Sequence, residues 1–134
     1  MSRSGYIDID GWDLIRWRGA VASAVRGTRG QEVLHGLVSA LDAMPVKRLN
    51  AGRLIAEGEV CALGALGAAC GRTEEMRRVD SEDYKAVARF FGISEALARE
   101  IQHINDEWYD ATPEDRWTRV RQWALDHIER GGGE

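Results

Sequence analysis

The chain holds only two prolines, two cysteines and three histidines in 134 residues, and no apolar run approaches the ~20 residues that span a bilayer. The opening Met1-Ser2-Arg3-Ser4-Gly5-Tyr6 lacks the basic-then-apolar order of a signal peptide, so a cytoplasmic protein is expected. Cys61 and Cys70 stand nine positions apart in an alanine-rich stretch. On one continuous helix that is roughly 13 Å of rise, too far for a disulfide, so both thiols are expected free and buried as small apolar groups. His35, His103 and His127 fall on different predicted helices, and neither a His-Glu-x-x-His nor a paired Cys-x-x-Cys pattern occurs. The Asp8-Ile9-Asp10-Gly11-Trp12-Asp13 string looks like a calcium loop, but Gly19 stands where the bidentate glutamate belongs. No serine sits in a Gly-x-Ser-x-Gly elbow. No metal, no cofactor and no catalytic residue is therefore expected.

What is present is enough apolar material, 44%, to fill one core. Charge is uneven along the chain. Residues 1–78 carry 11 Lys and Arg against 9 Asp and Glu, and residues 79–134 carry 7 against 13, so the halves stand at +2 and −6. The acidic second half argues against the broad phosphate-neutralising surface of a nonspecific nucleic-acid binder and suits a basic partner.

Helical signals dominate the periodicity. Asp10 is a candidate N-cap, followed by Leu14, Trp17, Val21 and Val25 at helical spacing, with Gly27 as a left-handed stop. Leu34, Leu37, Val38 and Leu41 form a second stripe that Pro45 ends. Asn50, Gly52 and Gly58 interrupt the next segment, which suits a short β-hairpin near residues 47–59. Residues 60–71 are nearly all small or apolar and read as a central buried helix, in which small residues at 61, 64, 65 and 68 admit a neighbouring backbone.

Asp80-Ser81-Glu82-Asp83 opens a fourth helix carrying Tyr84, Val87, Ala88 and Phe91, closed by Gly92. Ser94 caps a fifth with Leu97, Ile101, Ile104 and Trp108, and Thr112-Pro113 starts a sixth with Trp117, Val120, Ala124 and Ile128. The fold expected is mainly α, a compact bundle of about six helices in a single domain over residues 1–130, with 131–134 as a flexible tail.

Three features bear on function. Arg26-Gly27-Thr28-Arg29-Gly30-Gln31 places arginines at a helix start, where Arg26, Arg29, Gln31 and Arg18 could hold a phosphate or an acidic side chain; an ordinary αα-turn explains the same residues. The helices around Gly92 resemble a helix-turn-helix, but Glu95-Ala96-Leu97-Ala98-Arg99-Glu100 offers two carboxylates and one arginine where base-reading groups belong. Trp12 and Trp123 fall off the apolar stripes and are either core edges or part of a recognition surface, to a partner or to a second copy.

Several short motifs carry a resemblance: Arg26 to Gln31, Ala40-Leu41-Asp42-Ala43-Met44-Pro45, Glu59-Val60-Cys61-Ala62-Leu63-Gly64, Phe91-Gly92-Ile93, Ala98-Arg99-Glu100-Ile101, Asn105-Asp106-Glu107, and Arg116-Trp117 with Trp123. In this order they resemble a widespread family of small phage- and prophage-associated proteins of unassigned function. The family often has a longer segment after the Asn-Asp-Glu triplet, where this chain has only Trp108-Tyr109-Asp110-Ala111 before its last helix. The resemblance implies a phage or prophage setting, with the host cytoplasm as location, and no particular chemistry. The expected function is that of a phage-type accessory protein binding another protein stoichiometrically, with inhibition of a bacterial defence system as one form of it. The alternatives are a phosphate- or nucleotide-binding module using the Arg26–Gln31 turn and a DNA-binding regulator using the pair at 84–104.

Overall fold

The computed structural model describes residues 11–107 and 111–129, with side chains from residue 15 onward. Asp10 and the acidic string before it, Trp108, and the tail at 131–134 lie outside the described residues, as do the side chains of Trp12, Asp13 and Leu14. The elements run α1 (Gly11–Arg26), α2 (Thr28–Ala43), β1 (Ile55–Ala56), β2 (Glu59–Val60), α3 (Ala62–Ala69), α4 (Thr73–Met76), α5 (Tyr84–Phe91), α6 (Glu95–Asp106) and α7 (Pro113–His127). The chain is thus a mainly helical bundle with a short hairpin, as its periodicity predicts, but the described residues hold seven helices rather than six. The additional one, α4, is a single turn, too short to leave a periodic trace in sequence.

Helix ends are set by local chemistry. Asp83, Ser94 and Thr112 each accept a backbone N–H three residues on, from Ala86, Leu97 and Asp115, at 3.0–3.1 Å. Asp80 turns out to lie before the helix, where its Oδ1 accepts the Glu82 amide. Gly92 ends α5 in the left-handed region (φ 66°, ψ 38°), where a Cβ is strained. Gly27 differs from expectation: it is extended (φ −72°, ψ 161°) and serves as N-cap of α2. The chain therefore turns directly from α1 into α2. The close approach falls at Gly30, where a Cβ would meet the Ala24 carbonyl oxygen at 1.9 Å.

Two helices organise the core. α6 packs against α1, α3, α5 and α7, and α2 packs against α1, α3 and α7. Leu34, Leu37, Leu41, Leu63 and Ile101 have no exposed surface, each contributing about 1.5–3 kcal/mol by leaving water. α3 is buried from Ala62 to Gly67, and its glycines explain how: a Cβ on Gly64 would stand 1.8 Å from the Leu54 oxygen, and one on Gly67 2.3 Å from Met76 Sδ. In the hairpin before it, Ile55 pairs with Val60 and Ala56 with Glu59 across Glu57 and Gly58, both at positive φ as a tight two-residue turn requires. At the other side of the bundle Arg121 grips Asp42 through Nε (2.7 Å) and Nη2 (3.2 Å), joining α7 to α2 and holding the Asp42 carboxyl below its ordinary range.

The cysteines are both free but not alike. Cys61 is buried at the N-cap of α3, where its Sγ accepts the Gly64 amide and burial pushes its thiol up to about 12. Cys70 is exposed at the helix's far end, because the burial of α3 stops after Gly67. A thiol reagent at pH 8 is expected to label Cys70 rapidly and Cys61 only after urea unfolds the chain, a difference that intact mass spectrometry reads directly. Rapid labelling of both native thiols would contradict the buried cap.

Candidate functional site

The arginine turn stays exposed but is bonded to the rest of the fold more than its sequence suggests. Arg29 Nε donates to the Gly92 carbonyl at 3.1 Å, Nη2 donates to the Phe91 carbonyl, and Nη1 pairs with Glu32 at 3.3 Å. Arg72 donates to the Phe90 carbonyl at 2.9 Å and lies 3.8 Å from the centre of the Phe90 ring. Two guanidiniums thus cover the last carbonyls of α5, where the helix dipole is negative and the acceptors lack intrahelical donors. Gln31 is equally engaged: its Nε2 donates to the carbonyls of Val25 (2.7 Å) and His127 (3.1 Å), and its Oε1 accepts the Glu129 amide (2.9 Å). It fastens the ends of α1 and α7 together.

Arg18 and Arg26 sit elsewhere. They lie on the outer face of α1 with Ile15, Gly19 and Ala22, all exposed, and Ile15 is 64% exposed. At 100° per residue these five positions fall within an arc of about 100°. Bordering this arc on one side, Trp17 and Val25 are buried, and Val21 and Ala24 pack on the core. The inner face is firmly seated: the Arg99 guanidinium lies 4.2 Å from the Trp17 ring centre, and Trp17 Nε1 donates to Glu100 at 3.4 Å. A Cβ on Gly19 would meet nothing within 4 Å. The outer face is therefore a cationic, open strip on a rigid support. Sequence reading singled out its arginines and missed Ile15, whose position off the Trp17–Val21–Val25 stripe was the available signal.

A second polar assembly holds the loop between α2 and α3. Asn105, 1% exposed, accepts the Ala62 amide at 3.0 Å and donates to the Asn50 carbonyl (2.9 Å) and to Asp106 (2.7 Å). Asp106 accepts the Gly52 amide at 3.0 Å. Arg116 donates to the Leu49 carbonyl and Trp117 Nε1 to the Leu41 carbonyl, both at 3.1 Å. Asn105, Asp106 and Arg116 thus converge on one loop as scaffolding, while Trp117 fastens α7 to the end of α2. Asn105 continues the buried 97–101 row of α6, and Arg116 precedes the 120–124 row of α7, so each is a polar group in an apolar register.

The pair α5–α6 has a three-residue turn, but α6 is enclosed by four helices. Arg99 lies between the rings of Trp17 and Tyr84, and the residue of α6 most open to solvent at its start is the acidic Glu95. A recognition helix needs a protruding polar face for the major groove, which α6 lacks. His103 and Glu107 meet at 3.0 Å on one face. Among the described residues, no group of His, Cys, Asp and Glu could hold a metal ion, and no helix is long and apolar enough to cross a membrane.

Trp123 is half-buried against the core, its ring tilted 34° to that of His127 with 4.8 Å between ring centres. Among the described residues, α1 presents an outward cationic strip, and Arg29, Gln31, Arg72, Asn105 and Arg116 are committed to internal bonds. Comparison with protein-family models, with curated proteins and with solved structures finds no match to this chain.

Proposed function

We propose that the chain acts by stoichiometric binding to a protein, with the outer face of α1 as its contact surface. The observation that carries this reading is the combination on that face of an exposed isoleucine, two arginines and the uncrowded Gly19 and Ala22. Small residues let a partner's backbone come close, an aliphatic anchor supplies desolvation, and guanidiniums pair with carboxylates in two-pronged geometry. Charge complementarity on this face favours an acidic protein surface as the occupant, in place of the basic partner that the acidic second half suits. The resemblance noted in the sequence adds the setting: a phage-type accessory protein in the host cytoplasm, with a bacterial defence component as its target.

The phosphate-binding reading of the Arg26–Gln31 turn requires Arg29 to leave Phe91 and Gly92, and Gln31 to leave three backbone partners. Replacing Arg29 with alanine is expected to lower stability by about 1–2 kcal/mol, since the α5 carbonyls lose a charged donor. The Arg18→Glu/Arg26→Glu double variant is expected to leave the melting temperature within about 2 °C of the parent, because both residues are exposed. It is expected to weaken partner binding by at least ~100-fold, through lost pairing and new like-charge repulsion. Unchanged affinity in the double variant removes α1 as the surface.

A further inference from the structure

Apart from α1, the molecule has a cleft of about 250 Å³ between the segment entering β1 and the segment joining α4 to α5. Its walls are fastened from behind. Gly52 is held by Asp106, Leu54 N donates to Ser81 Oγ at 2.9 Å, and Gln102 Nε2 donates to the Ser81 carbonyl at 3.0 Å. Met76 and Leu54, each 1% exposed, close the floor. The cleft is therefore preformed, as small-molecule sites are.

Opposite charges line it. Arg53 and Arg77 bring guanidiniums; Arg77 is steadied by Glu74 through Nε at 3.2 Å, and its terminal nitrogens carry further donors. Asp80 and Glu82 bring carboxylates from the 80–82 segment.

We infer that this cleft binds a small zwitterion of free amino acid size, its ammonium toward Asp80 and Ser81 and its carboxylate toward Arg53 and Arg77. The volume falls below the roughly 300–1,000 Å³ of sites for drug-sized ligands and suits a ligand of amino acid size. A chain terminus or a simple anion satisfies only one of the two walls. The cleft is independent of α1 and of the protein-binding reading.

The test uses the full ¹⁵N-labelled chain titrated with each of the twenty free α-amino acids, and then with the N-acetyl and amide derivatives of any that bind. At least one amino acid is expected to shift the amides of residues 52–55 and 76–82 saturably, with Kd of about 1 mM or tighter. Its acetylated form, without the ammonium, and its amide, without the carboxylate, are each expected to bind at least ~10-fold more weakly, as are Arg53→Ala and Asp80→Asn with the parent ligand. Both variants alter exposed side chains, and an unchanged melting temperature verifies their fold. The inference is overturned if no amino acid shifts these amides at ~20 mM. It is also overturned if a singly charged derivative binds as well as the zwitterion.

Discussion

Replacing Asn105 with alanine is expected to lower the unfolding free energy by about 3 kcal/mol, the largest loss from any single polar side chain here. The carboxamide serves three partners at once, and truncation leaves the Ala62 amide, in a fully buried turn, without an acceptor. Each stranded buried group costs about 1–3 kcal/mol, a large share of the ~5–15 kcal/mol that holds a domain of this kind. Aspartate at 105 is no rescue: it keeps the acceptor for Ala62 but sets a second carboxylate against Asp106, where the amide now donates at 2.7 Å. Urea unfolding reads the loss as a lower midpoint at constant slope, and hydrogen exchange is expected to quicken at the Ala62 amide. A midpoint within experimental error of the parent contradicts the internal role given to Asn105.

The second large effect changes sign with position. Gly64→Ala is expected to cost at least ~3 kcal/mol or prevent folding, since the new methyl would lie 1.8 Å from the Leu54 oxygen and 2.8 Å from its carbonyl carbon. Backbone atoms cannot swing aside as a side chain does, and that oxygen already accepts the Cys61 amide at the end of the hairpin. Gly19→Ala, also within a helix, is expected to stabilise by about 1 kcal/mol, because the space is open and the unfolded chain loses freedom. Thermal unfolding of the two variants side by side checks both. Equal effects of the same sign would show that the α3 approach to Leu54 is not as close as described.

The contrast explains what could be read in the sequence. Caps at Ser94 and Thr112 were legible because the capping group and its amide lie three residues apart, and the apolar rows of α2, α5 and α7 were legible because periodicity is local too. The close packing of residues 60–67 could be anticipated from small residues, although the partner of Gly64, the Leu54 carbonyl, could not. Arg29 looked like an anion-binding group because its bond partners, Phe91 and Gly92, are more than sixty residues away. The roles of Asn105 and Arg116 were not legible for the same reason, their partners lying more than forty residues away, and their positions in line with buried rows were the only local hint. Cys70 was misplaced because composition continues past Gly67 while burial does not.

The same logic leaves the outer face of α1 as a cationic surface whose side chains are not needed to hold the fold together, and the claim built on it has a direct test. Tagged parent protein and the Arg18→Glu/Arg26→Glu variant are each used to capture partners from nuclease-treated bacterial lysate, and the captured protein is purified and titrated against both. The account predicts a partner with an acidic surface that binds the parent in fixed stoichiometry, survives nuclease treatment and is lost from the variant. Capture that persists in the variant, or that disappears once nucleic acid is digested, would contradict it; a captured second copy of this chain would make the surface one of self-association.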